Sequence, residues 1–289
     1  MKPAREPRVF GALLLAVVSI SFAAVFFRLA SASHPLVVSA TRLTLASCVL
    51  AIPTFRAYRA GRLPSRVRRR AALCGLLYAA HFGTWVTSLS MTSVASSVTL
   101  VTATPILLVV ASLISGRDRP ERRQLISIGL ALVGLTLIGH ADLGLSEEAL
   151  VGDGLAFLGA AAMAGYLLIA RRLGEELDVL AFSGVATLVG AATLFAVALG
   201  CGVPITFASH ESLLWTAMAA LVPQLIGHTL LTWSLRHATP TAVGIATVGE
   251  PVGATLLAWW LLGDRGGAMS ALGCAVTLFA VLLSVRRPS

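Results

Sequence analysis

A chain of 289 residues with 57% hydrophobic residues, 12% charged residues and a mean hydropathy of +0.87 is far from a soluble domain, about a quarter of which is charged; it reads as an integral membrane protein. The formal net charge of +9 would suit nucleic acid if spread over a soluble face, but it is gathered into a few short connections, which excludes that partner. Cys48, Cys74, Cys201 and Cys274 fall in or at the ends of separate apolar runs without CxxC spacing, so neither a disulfide framework nor a metal set is indicated, and no cofactor is expected.

A membrane span takes about 20 mostly apolar residues. In chain order the runs of that kind are Val9 to Phe27, Pro35 to Phe55, Ala71 to Ser90, Ala95 to Ile114, Leu125 to Gly139, Gly152 to Ala170, Leu180 to Gly200, Leu213 to Leu235, Thr241 to Leu262 and Ala268 to Val285. All are expected to be helices, because lipid offers no partner to an unpaired backbone group. The first run follows Lys2, Arg5 and Arg8 and precedes "LASAS" (Leu29 to Ser33), which imitates a secretory signal. Its apolar stretch is longer than a signal core of roughly 7 to 15 residues, so it is read as a span that stays.

The second span contains Arg42, about 10 Å below Pro35 at 1.5 Å per residue. Three uses fit it: reaching a substrate carboxylate, snorkelling to the surface, or bonding helix-end carbonyls. The segment Arg56 to Arg70 that follows reads as a cytoplasmic loop rich in arginine, suited to anionic lipid. The third span places Tyr78, His81 and Trp85 on one helical face. The fourth carries Pro105, which takes a hydrogen bond from the Val101 carbonyl and predicts a kink near mid-membrane. Glycines in the fifth span (Gly129, Gly134, Gly139) and the sixth (Gly154, Gly159, Gly165) are expected to let helices approach closely. The connection between those spans, His140 to Asp153, is acidic.

In the eighth span Gln224, His228 and Thr232 form a second polar stripe, expected to face the first across one pocket. The ninth contains "VGEPVGATLLAWWLLGDR" (Val248 to Arg265), in which Glu250 sits about 13 Å deep and Pro251 repeats the kink at Thr247. A carboxyl at that depth is costly when charged, and such groups mark functional sites. Glu250 suits a proton-coupled or substrate-gated carrier; the alternative is a neutral acid bonded to a neighbouring helix backbone. An ion pair with Arg42 would have to bridge different depths. Trp259 and Trp260 are placed as interfacial anchors.

Sliding the chain by 146 residues lays Thr102 to Arg119 on Val248 to Arg265, pairing Pro105 with Pro251, Thr104 with Glu250, and Ser88-Leu89 with Ser234-Leu235. The shape is repeated while the charge is not. Of the 22 lysines and arginines, nineteen lie on the side of the N-terminus, Arg28 and Arg265 on the other, and Arg42 within a span. This bias predicts both termini in the cytoplasm. Five spans per half, an odd number, make the copies enter in opposite senses, the inverted repeat of many secondary transporters.

The arginine in "SATRLTLASCVLAIP", the proline in "TATPILL", "GDGLAFLGAAAMAGYLLIARRL" opening the second half, and "GEPVGATLLAWWLLGD" before a last span starting "ALGCAV" together resemble the drug/metabolite transporter superfamily, EamA-type. That resemblance, from about Phe10 to Val285, implies an all-α integral membrane protein. It implies ten transmembrane helices in two inverted five-helix repeats (about 9–139 and 152–285) making one domain. It also implies a bacterial inner-membrane exporter of amino acids or other small metabolites. Where members of the family often close spans 4 and 9 with glutamate after glycine, this chain has Gly116-Arg117-Asp118 and Gly263-Asp264.

The expected ligands are membrane lipid and a small-molecule solute, with proton coupling open and the oligomeric state, monomer or homodimer, unassigned. The candidate solute-binding or gating residues are Glu250, His228, Gln224, His81, Trp85, Tyr78, Arg42 and Thr232, with Pro105 and Pro251 as kinks. A lipid or polyprenyl-linked flippase on the same fold is the alternative. An intramembrane enzyme is disfavoured, since HExxH, GxSxG and a second intramembrane carboxylate near Glu250 are missing from the sequence.

Overall fold

The computed structural model describes residues 6–92, 94–118, 120–139, 146–174, 178–261 and 267–285, and these are helical apart from short links. The first half comprises α1 (Glu6–Leu29), α2 (Pro35–Arg59), α3 (Ser65–Ser88), α4 (Val94–Val101), α5 (Thr104–Ser115) and α6 (Arg122–Gly139). The second comprises α7 (Glu147–Arg171), α8 (Val179–Gly200), α9 (His210–Ala219), a π-helical segment (Ala220–His228), α10 (Thr229–Ser234), α11 (Pro240–Thr247), α12 (Gly249–Leu261) and α13 (Ala268–Val285). Among the described residues, seven stretches are long and apolar enough to cross a bilayer: Pro7–Leu29, Pro35–Arg59, Ser97–Ser115, Glu147–Arg171, Val179–Gly200, His210–Ser234 and Pro240–Leu261. Three of the ten expected spans therefore fall outside that set: those on α3, α6 and α13, the last with a shorter apolar stretch, Ala271–Leu283.

Several boundaries differ from expectation for local reasons. The basic segment after the second span is mostly helix: α2 runs through Arg59 and α3 begins at Ser65 after the extended Pro64. Arginine is a good helix former, so the charge does not break the chain. At the acidic connection the Ser146 hydroxyl accepts from the Ala149 amide and starts α7 early, with Glu147 and Glu148 in its first turn, where the helix dipole favours anions. The eighth span is not a continuous α-helix. Pro223 lies inside the π-helical segment, and having no N–H to give the ladder it is a recognised cause of such local rewinding. The expected pairing of Asp118-Arg119 with Asp264-Arg265 lies partly outside the described residues, as do Lys2, Arg5, His140, Arg286 and Arg287.

The helices pack symmetrically under exchange of the halves. α2 packs on its counterpart α8, and α6 on its counterpart α13; α3 packs on α7 while α9, the π segment and α10 pack on α1; α12 packs on α1 as α5 does on α7. Reciprocal pairing of this kind is the mark of a two-fold relation. Small residues set the approach. A Cβ at Gly75 would lie 2.6 Å from Val189 Cβ and 2.7 Å from the Ala186 carbonyl oxygen, so α3 meets α8 nearly backbone to backbone. Gly134 abuts Thr277, Gly159 abuts Thr84 and the His81 carbonyl, and Gly165 abuts Leu77, as expected. Gly129 and Gly154 do not: each faces open space, with nothing within 4 Å of an added Cβ. Gly139 ends α6.

Each half also clasps the other at its links. Arg62, between α2 and α3, donates to Asp178 Oδ2 before α8 at 2.7 Å. In the exchanged positions the Ala208 amide, between α8 and α9, donates to Ser33 Oγ before α2 at 3.0 Å.

Candidate functional site

The fourth span of each half breaks where the prolines require it. α4 ends at Val101 and α5 begins at Thr104; α11 ends at Thr247 and α12 begins at Gly249. The ends at Val101 and Thr247 are 146 residues apart, the same offset that aligns the sequences. Threonine hydroxyls take up carbonyls near the breaks: Thr104 Oγ1 donates to the Val101 carbonyl at 3.1 Å and Thr247 Oγ1 to that of Gly244 at 2.7 Å. The carbonyl that Pro105 deprives of its amide donor thus regains a partner from Thr104. In the second half the equivalent position is Glu250, and there the repeat places a carboxyl where the first half has a hydroxyl.

Between the two breaks lies a cavity of about 40 Å³, lined by His81 and Trp85 of α3, Thr102 and Thr104 at the first break, Met163 and Leu167 of α7, His228, Leu231, and Thr247 and Glu250 at the second break, with α1 contributing Ile20 and Ala23. Both halves supply walls. Four of the eight residues expected in the site, Glu250, His228, His81 and Trp85, therefore line one space. His81 and Trp85 stack with ring centroids 5.8 Å apart, and His81 and His228 meet edge-on at 6.4 Å. His81 is fixed: its Nδ1 lies 2.9 Å from the Gly159 carbonyl oxygen, which can only accept, so Nδ1 carries a proton and donates. Glu250 is half-buried; among the described residues its carboxyl makes no hydrogen bond to a neighbouring helix, so the backbone-bonded alternative is not the arrangement seen.

Tyr78, Gln224 and Thr232 are not among the residues lining this space and pack behind its wall. Tyr78 stacks on Tyr166 at 4.3 Å and meets His228 edge-on at 5.7 Å. Thr232 Oγ1 donates to the His228 carbonyl at 2.8 Å, so its single proton is spent and the Tyr166 hydroxyl, also 2.8 Å away, must be the donor to Thr232. Gln224 is buried and its Oε1 lacks a partner. The π rewinding is one reason Gln224 and Thr232 leave the lining, since residues five rather than four apart are then bonded through the backbone.

Arg42 is fully buried, which overturns the snorkelling alternative. Its guanidinium carbon lies 4.3 Å from the centroid of Phe82 and 5.2 Å from that of Phe27. Such contacts contribute about 0.5–2 kcal/mol each. Among the described residues Nε, Nη1 and Nη2 have no hydrogen-bond partner, so the helix-end-carbonyl alternative is also not realised. Glu250 is within electrostatic reach, but no ion pair joins the two.

Sequence reading did not place Thr102, Met163, Tyr166 or Ser21 at the site, and named Thr247 only for the carbonyl that Pro251 frees. The threonines had a signal, their nearness to the prolines. So did Ser21, since Gly249 and Gly253 form a GxxxG spacing that permits close helix contact: a Cβ at Gly253 would lie 2.6 Å from Ser21 Cβ. Trp260 is 78% exposed, leaving it free for the lipid-facing position expected of it.

A family model described as the EamA-like transporter family matches residues 9–139 and again 150–286. No curated protein matches the chain. One solved crystal structure, described only as that of a protein, is 16% identical, covers 96% of each chain and superposes with a TM-score of 0.79, which bears on the fold alone.

Proposed function

The chain belongs to the EamA-like transporter family, multi-pass membrane carriers of small solutes, and from that premise we propose a secondary transporter that exports a small organic metabolite by alternating access. In this reading ten helical spans cross a bacterial inner membrane as two inverted repeats with both termini cytoplasmic, and the solute binds between the broken fourth spans. Broken helices lining a midplane cavity are tolerated because their freed backbone faces solute or water rather than lipid. The observation that carries the proposal is a cavity walled by both halves with Glu250 at the second break.

The cavity volume supports a mechanism with more than one state. About 40 Å³ holds roughly three waters at about 10–15 Å³ each, too little for a metabolite, so its walls must part to admit one. The halves pivot about reciprocal contacts, and the two clasps at Arg62–Asp178 and Ser33–Ala208 open alternately. Glu250 binds a proton in one state and releases it in another, coupling solute movement to the proton gradient.

A two-stage experiment tests this. Purified protein is screened for thermal stabilisation by amino acids, nucleobases and organic cations, because a ligand that binds only the folded state raises its stability. The solutes that stabilise are then assayed for flux in proteoliposomes. Saturable counterflow of at least one is expected; stabilisation without saturable flux of any solute contradicts the transport reading.

A further inference from the structure

We infer that Arg42 is the receptor for the carboxylate of the solute, which makes the solute an organic monocarboxylate with a flat apolar body. The inference rests on the transport reading for its setting, but on different residues.

A buried guanidinium is tolerated when paired and hydrogen-bonded. Arg42 has neither condition met from the described residues: it is fully buried, its three nitrogens lack partners, and its contacts are the rings of Phe27 and Phe82. Ring contacts engage the charge while leaving the N–H donors unsatisfied. A planar carboxylate matches that fork with two parallel hydrogen bonds. The guanidinium also sits in electrostatic reach of three cavity residues, Glu250, His81 and His228.

The neighbours narrow the ligand. Phe82 covers Arg42 and also meets His81 and His228 edge-on, at 4.6 and 5.3 Å, so the guanidinium lies one ring behind two residues of the cavity wall. Movement of the Phe82 ring as the walls part would open it to the cavity. The body of the ligand then rests among Trp85, His81 and His228, which favours a flat apolar group. Glu250, when charged, repels a second negative charge, which disfavours dicarboxylates and phosphate monoesters.

The test uses the purified full-length chain and matched probes: benzoate against benzamide, indole-3-acetate against indole-3-acetamide, and phenyl phosphate. Binding is read by thermal shift and equilibrium dialysis, without transport. At least one carboxylate is expected to bind tenfold or more tightly than its amide and than phenyl phosphate. Arg42→Gln is expected to abolish that preference and Arg42→Lys to retain part of it. Equal binding of acid and amide, an unchanged preference in Arg42→Gln, or no binding of either carboxylate at millimolar concentration overturns the assignment. If Arg42→Gln does not fold, the acid-to-amide comparison on the unaltered protein decides. Flux of a neutral or cationic solute with no carboxylate preference would leave the transport reading standing while this one falls.

Discussion

His81 of α3 and His228 at the end of the π segment meet edge-on in the lining of the cavity with ring centroids 6.4 Å apart, one from each half of the chain, yet they are held differently. His81 donates to the Gly159 carbonyl, whereas the ring contacts of His228 are aromatic, to Tyr78, Phe82 and His81. His81→Phe should therefore lower stability by about 0.5–1.5 kcal/mol through the lost hydrogen bond. His228→Phe, which keeps the rings and breaks no ring hydrogen bond, should cost less than about 0.5 kcal/mol while altering solute affinity. Denaturation in detergent alongside ligand titration separates the two; equal losses of stability would refute the division.

The hydroxyl chain behind the cavity predicts an asymmetry. Tyr166→Phe removes a donor and leaves Thr232 bonded to the His228 carbonyl, so the loss should be about 1 kcal/mol. Thr232→Val removes the acceptor of Tyr166 and the donor to His228 together, and the buried phenol then pays its desolvation cost, about 1–3 kcal/mol. The order of the two, read from unfolding midpoints, checks the donor assignment.

Glycines that look alike in sequence should respond oppositely. Gly75→Ala drives a methyl into Val189 and the Ala186 carbonyl, and because backbone cannot yield cheaply the overpacking should cost about 1–3 kcal/mol. Gly154→Ala meets nothing within 4 Å and should be neutral or stabilising by up to about 1 kcal/mol. Thermal unfolding of the two variants is sufficient.

These comparisons show what the sequence could carry. Proline at positions 105 and 251 foretold both breaks, because removal of an amide donor is a local event. The stripe of His81 and Trp85 was legible from helical spacing, and so was the match of the halves. Arg42's surroundings were not, since Phe27 and Phe82 come from two other helices and only packing brings them over it. The π segment displaced Gln224 and Thr232 from the lining for a reason visible in Pro223 but not weighed against the regular spacing around it. Gly129 and Gly154 show that spacing identifies a face without saying what covers it.

The clasp between Arg62 and Asp178 gives a further test. Arg62 is exposed, with 60% of its side chain accessible, against 20% for Asp178, so Arg62→Ala should cost no more than about 1 kcal/mol, and less at high salt. Asp178 also accepts from the Ala181 amide as the N-cap of α8, so Asp178→Ala should lose an additional 0.5–2 kcal/mol, roughly the value of a cap. Chemical denaturation at two ionic strengths distinguishes pair from cap: only the first part should respond to salt.

The central claim, that a carboxyl at the second helix break governs passage through a cavity shared by the two halves, is tested most directly by solute flux in proteoliposomes containing Glu250→Gln, measured across a range of pH. Glutamine keeps the size and cannot titrate, so the account predicts a correctly folded protein whose residual flux no longer varies with pH, while the unaltered protein's does. Flux and pH profile unchanged by the substitution would contradict it.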